Sequence, residues 1–265
     1  MDQGNLGSDP EKASGAPERP VDIPPRSRGR PKGRTLQGQA SREDIYKAAI
    51  GLIAASGFEA TTLRDIAREA GVSPGLLYKY FPGKRAVVLA LYDDLSAKYA
   101  AKAAQMPKGN WRARYLFALQ TSLDVLRPQR KTLEALIPVM VGNGGEGLFA
   151  PATAGSRGRV QPVFHQAVGM AIDAPKAPDA ISLGRLLYLS HLGIILMWLL
   201  DKSPKQRATA AFITLLGTAL PLAAIALKLK SVRSVMRGAD ALFQDVLFGE
   251  AGDPLFAPER EAVSR

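Results

Sequence analysis

Gly71-Val72-Ser73-Pro74-Gly75-Leu76-Leu77-Tyr78-Lys79-Tyr80-Phe81-Pro82-Gly83-Lys84-Arg85 is the stretch on which the fold turns. Gly71 stops one helix, and Ser73 followed by Pro74 starts another. A serine hydroxyl satisfies a free N–H of a first helical turn, and proline at the first position gives up only an N–H that would have no partner. Upstream, Ser41 is expected to cap a helix in which Ile45, Ala48, Ala49, Leu52 and Ile53 share one face, with Gly57 as its stop. Between the two, Thr62 and Asp65 resemble a capping box, and Leu63, Ile66, Ala67 and Ala70 form the inner stripe of a short second helix. Two short helices joined by Gly71-Val72-Ser73 read as a helix-turn-helix. A fourth helix runs from Lys84 to Ala104, with Val87, Val88, Leu91 and Leu95 on its apolar face, until Pro107-Lys108-Gly109 breaks it.

The chain has 265 residues, a formal net charge of +11, two histidines and no cysteine. The missing cysteines exclude disulfide frameworks, thiolate zinc sites and thiol nucleophiles. His165 and His191 leave little from which to build acid–base or metal chemistry, so neither an enzyme nor a cofactor is expected. The excess of basic residues points to a polyanionic partner. No apolar segment with a basic start and a small-residue cleavage site opens the chain, so the expected location is the cytoplasm, on the nucleoid when DNA is bound.

Residues 41–95 resemble the tetracycline-repressor (TetR) family of bacterial transcription regulators. There an Ala/Ile-rich helix ends in glycine and an aromatic residue, followed by paired threonines, an aliphatic residue, Ile-Ala and Ala-Gly-Val-Ser. Gly57-Phe58 and Thr61 to Ser73 repeat that order. The resemblance implies an all-α homodimer in which an N-terminal three-helix DNA-binding domain is joined by a linking helix to an α-helical ligand and dimerisation domain. It also implies that Tyr78, Lys79, Tyr80 and Lys84 contact phosphates on either side of the groove, that Thr62 does so from the second helix, and that Leu77 and Phe81 face inward. The chain departs from the family at Pro74 and Leu76, where a basic or polar residue is frequent.

Elementary chemistry supports such a surface. Ser73 adds a hydroxyl at a helix start that offers free N–H groups to phosphate. Gly75 permits close approach to the major groove, and Leu76 can touch a thymine methyl. Residues 41–104 hold nine basic against seven acidic residues, so further charge must come from elsewhere. Arg26, Arg28, Arg30, Lys32 and Arg34 supply it. Arg28-Gly29-Arg30-Pro31-Lys32 looks like an AT-hook, an extended arm for the minor groove of A/T-rich DNA, where a narrow groove deepens the negative potential. The proline-rich residues 1–40 are expected to be a disordered tail around this arm (26–34), with 41–104 as the DNA-binding domain, 105–248 as the effector-binding and dimerisation domain, and 249–265 as a flexible end.

Beyond Asn110, helices are expected at 111–126, 129–141, 160–173, 180–201, 204–230 and 233–248, with a long loop between Gly142 and Arg159. Within that loop Gly142-Asn143-Gly144-Gly145-Glu146-Gly147 fits the GxGxxG pattern of dinucleotide binding, yet Phe149-Ala150-Pro151 breaks the helix that pattern needs. Leu186 to Leu200 and Ala208 to Leu227 are long enough for a membrane hairpin. Two apolar antiparallel helices also suit a four-helix dimer bundle, the favoured reading, with Leu216 at the interface and Pro221 kinking the second helix. A small apolar effector would lie between the linking helix and this bundle, near Trp111, Tyr115, Met140, Tyr188, His191 and Trp198. An architectural A/T-rich DNA binder without effector and a membrane-tethered regulator remain as alternatives.

Overall fold

The structure, a computed structural model, describes residues 36–142 and 144–249; the arm at Arg28-Gly29-Arg30-Pro31-Lys32 and the segment from 250 onward lie outside the described residues. Among the described residues all regular structure is helical. The order is α1 (Leu36–Ser56), α2 (Leu63–Glu69), α3 (Pro74–Tyr80), α4 (Lys84–Ala103), α5 (Trp111–Leu126), α6 (Arg130–Ala135), α7 (Ile137–Val141), α8 (Ala154–Gly169), α9 (Asp179–Leu200), α10 (Arg207–Ala226) and α11 (Lys230–Phe248).

Helices α1 to α4 form as their caps dictate. Gly57 and Gly71 take φ values of +87° and +63°, a left-handed backbone that ends α1 and α2 and that only glycine adopts without strain. The Thr62 hydroxyl accepts from the Asp65 N–H (3.2 Å), and the Ser73 hydroxyl accepts from the Leu76 N–H (3.2 Å). Ile45, Ile53, Ile66, Leu77, Phe81, Val87, Val88 and Leu91 close a common core between these helices. One boundary differs from expectation: α1 begins at Leu36, so Ser41 lies inside the helix and is not its cap.

In the larger helical body, α8 packs against α4, α5 and α9, while α11 covers part of α9. The expected long loop is shorter than its glycines suggest. A 3₁₀ turn at Pro151–Thr153 leads directly into α8, which carries Gly155 and Pro162 within it. What makes it a helix is burial of one face, where Arg157, Gln161, Phe164 and Val168 recur at helical spacing. The segment read as 129–141 divides into α6 and α7, since Pro138 favours the start of a new helical turn.

Helices α9 and α10 are both long and apolar enough to cross a membrane, but their surroundings differ: 44% of the apolar window of α9 is buried, against 11% for α10. Helix α9 is therefore a core helix. The turn between them is tied by Asp201, whose carboxylate accepts from the Ser203 N–H (2.9 Å) and from both the N–H (2.9 Å) and hydroxyl (2.7 Å) of Thr209. These bonds hold the Asp201 carboxyl far below the usual carboxylate range. Helix α10 continues past Pro221 to Ala226. Leu216 is half-buried and turned to the core, whereas Phe212, Leu215, Leu222 and Ile225 are exposed.

Candidate nucleic-acid interface and effector cavity

Helix α3 presents one face outward and one inward. Leu77 and Phe81 are buried beneath it, while Ser73, Pro74, Gly75, Tyr78 and Lys79 are exposed and Leu76 and Tyr80 are half-buried. Tyr78 is 54% exposed, its ring and hydroxyl free to meet a partner. The Lys79 ammonium lies 6.0 Å from the centroid of the Tyr80 ring. Thr62 is exposed at the start of α2, its hydroxyl also donating to the Asp65 carboxylate (2.5 Å). That bond, with Arg68 beside it, keeps the Asp65 carboxyl below the ordinary range.

Lys84 has a structural task that the sequence did not announce. Its ammonium donates to the carbonyls of Phe58 (2.7 Å) and Glu59 (3.3 Å) and sits 4.5 Å from the centroid of the Phe58 ring. It thus fastens the first turn of α4 to the end of α1. An ammonium carries three N–H donors, so one remains for an outside acceptor. On the neighbouring residue, the Arg85 guanidinium pairs with Glu146 (3.0 Å), a carboxylate buried in the loop that follows α7.

That loop is the GxGxxG stretch, and its glycines serve backbone packing. A Cβ on Gly142 would lie 2.6 Å from the Pro138 carbonyl oxygen, and one on Gly147 would lie 2.6 Å from that of Gly142. The chain doubles back on itself, with the Leu148 N–H donating to the Met140 carbonyl (3.0 Å), so no phosphate cradle is formed.

Inside the body is a cavity of about 630 Å³, within the range of about 300–1,000 Å³ that accepts small organic molecules. Of the residues expected around an effector, Met140, Tyr188 and His191 line it. Trp111, Tyr115 and Trp198 do not. Tyr115 is fully buried in the core, its hydroxyl bonded to Ser190 (3.0 Å). Trp198 packs under Arg130, 5.5 Å from ring centroid to guanidinium. Trp111 borders a different hollow, where Asp173 accepts from its N–H (2.8 Å). All three tryptophan and tyrosine side chains are large enough to satisfy the core, which competes with the cavity for them.

His191 is buried, and its Nε2 is 2.8 Å from the Ser122 hydroxyl. Burial pushes its pKa down to about 3, so the ring is neutral at physiological pH. The wall also contains Tyr92, Tyr99 and Arg157, which sequence reasoning missed. Tyr92 and Tyr99 were legible, since they continue the apolar face of α4 from Val88 and Leu95. Arg157 was hidden in the stretch read as loop, although its spacing from Gln161, Phe164 and Val168 is helical.

Residues 45–91 match the sequence profile described as bacterial regulatory proteins, tetR family. The chain is similar to an uncharacterised HTH-type transcriptional regulator of Bacillus subtilis, YerO, with 45% identity over 49 residues, covering 18% of this chain and 17% of that protein. It is also similar to the HTH-type transcriptional repressor KstR2 of Rhodococcus jostii, with 37% identity over 73 residues, or 26% and 36% of the two chains. The chain therefore spans no more than about a third of the length of these curated relatives. Among solved structures, Salmonella enterica GusR superposes with a TM-score of 0.53 at 19% identity, over 71% of this chain and 97% of that one. A tetR-family regulator from Streptomyces coelicolor gives a TM-score of 0.51 at 20% identity, over 77% and 89%. At these identities the structural likeness concerns the fold. Capped α2 and α3 and the buried face of α3 fall within residues 45–91, and over that segment the chain is similar to the tetR family of bacterial regulatory proteins.

Proposed function

We propose that the protein is a DNA-binding transcriptional regulator, acting as a repressor, that binds a palindromic operator as a homodimer in the cytoplasm and is released by a small effector. The observation that carries this reading is α3, whose exposed Gly75, Tyr78 and Lys79 stand on a buried Leu77–Phe81 anchor. Such a helix fits the major groove, with Leu76 against a thymine methyl and Tyr78, Lys79, Tyr80, Lys84, Thr62 and Ser73 on phosphates. Residues 41–104 read DNA, and residues 105–248 dimerise and, together with Tyr92, Leu95 and Tyr99 of α4, hold the effector. The arm Arg28-Gly29-Arg30-Pro31-Lys32 adds minor-groove contacts from the tail.

A second copy of the chain covers α10. Phe212, Leu215, Leu222 and Ile225 lie exposed on it, and Val235, Leu242 and Val246 are exposed on α11. Patches of this kind mark association sites. A dimer also supplies the two recognition helices that a palindrome requires, spaced by whole turns of about 34–36 Å. The function consists of binding and release, without a catalytic step.

Genome-wide mapping of bound DNA followed by footprinting tests the reading. A short palindrome protected on one face is the expected result. Protection spreading along A/T tracts would replace it with the architectural role, and protein recovered only in membranes would replace it with a tethered regulator.

A further inference from the structure

Arg157 is 7% exposed, and no carboxylate among the described residues pairs with it. Its Nη1 makes only long contacts, to the carbonyls of Leu148 (3.3 Å) and Ala150 (3.4 Å) and to the Thr153 hydroxyl (3.5 Å). Its Nε is buried without any partner, and the guanidinium lies 5.3 Å from the centroid of the Phe248 ring. Burying a cation is costly unless an anion and full hydrogen bonding answer it. The nearby buried acid, Glu146, is already engaged by Arg85.

This unanswered guanidinium is part of the cavity wall, whose remaining surface is dominated by leucines, among them Leu95, Leu126 and Leu189. Three further polar groups on the wall, the Tyr92 and Tyr99 hydroxyls and His191 Nδ1, also lack partners. We propose that the effector is an amphipathic carboxylate: its acid group sits on the free edge of Arg157, and its hydrocarbon portion fills the leucine-lined space. A guanidinium edge offers parallel N–H donors that match two carboxylate oxygens, which a neutral apolar ligand would leave unused. The proposal rests on the reading of this cavity as the effector site. It replaces the purely apolar ligand expected from the sequence, where Arg157 lay in a presumed loop.

Isothermal titration calorimetry of the full chain with decanoate and with decan-1-ol tests it. The carboxylate should bind about tenfold or more tightly than the alcohol, the difference a charge-assisted hydrogen-bonded pair supplies. Arg157→Met should abolish that preference. Equal affinities of the natural protein for the two ligands would overturn the proposal, and that comparison stands even if Arg157→Met fails to fold. Binding of decyl phosphate but not of decanoate would overturn the carboxylate assignment. Binding of decanoate only after removal of residues 250–265 would assign Arg157 to an acid of that segment instead. Nile red, a neutral dye, separates the two levels: dye uptake without a carboxylate preference refutes the ligand class alone, whereas absence of dye, alcohol and carboxylate binding together refutes the effector cavity.

Discussion

A methyl group placed on Gly75 meets no other atom within 4 Å, so the protein itself does not require glycine there. Gly75→Ala should therefore raise stability by about 0.5–1 kcal/mol, because alanine is the better helix former. If the backbone at 75 approaches DNA, the same variant loses operator affinity. Thermal denaturation and fluorescence anisotropy on one preparation should move in opposite directions, and joint improvement would remove Gly75 from the interface. For Lys84, the bonds to Phe58 and Glu59 imply a double effect. Lys84→Ala should destabilise the fold by about 1 kcal/mol, and, if its third N–H reaches a phosphate, flatten the salt dependence of binding by about one unit in log–log slope. An unchanged slope would leave Lys84 as a purely internal tie. His191 gives a pH prediction. Its folded pKa of about 3 lies below the ordinary value of 6.5, so the unfolded chain binds the proton first and acid favours unfolding. Stability should fall as pH drops from 6.5 towards 3, by at most about 1.4 kcal/mol per pH unit from this group. His191→Gln, followed by denaturant melts at pH 7 and pH 4.5, should reduce that loss.

Helix α10 shows what a sequence pattern can and cannot specify. With apolar residues on every side of Ala208 to Leu227, periodicity carries no phase, and Leu216 was placed at the interface although it faces the core. The structure turns Leu215 and Leu222 outward instead. Leu215→Glu should thus give monomers in sedimentation velocity and lose operator binding, while Leu216→Glu should damage the fold first. A dimer that survives both Leu215→Glu and Leu222→Glu would place the interface elsewhere. By contrast α1 to α4 were largely legible, the start of α1 excepted, because the end of α1, both ends of α2 and the starts of α3 and α4 are marked by a glycine or a capping hydroxyl whose chemistry is local. Helix α8 was legible only from residue 160 onward; its start at Ala154 was not, since Gly155 and Gly158 contradict a helix locally and the burial of Arg157 beneath it overrides them. The surface residues of α3 could be read in advance for the same reason as its caps. The partner of Lys84 could not, because Phe58 lies more than twenty residues away and nothing local announces the contact.

At the scale of the whole molecule, the tail and the folded helices should act together on one operator. Removing residues 1–34 should weaken binding mainly where A/T pairs flank the half-sites, and less where G/C pairs do, because the guanine amino group obstructs the minor groove. Equal losses on both flanks at one salt concentration would reduce the arm to charge alone. If the proposed effector binds, the bridge between Arg85 and Glu146 bears on a different property, how strongly that binding would be felt at the DNA. It ties the first turn of α4 to the loop whose Leu148 and Phe149 line the cavity, and Arg85 is 71% exposed. A transmission that passes through an ion pair whose arginine faces solvent, while its carboxylate is buried, is open to partial screening by dissolved salt. The ratio of operator affinities without and with effector should then shrink as potassium chloride rises from about 0.1 M to about 0.5 M, over and above the ordinary weakening of DNA binding. In Arg85→Gln that ratio should start small and stay flat. Such a regulator would have a gain set by the ionic strength of its cell, and its genes would respond most sharply in dilute cytoplasm.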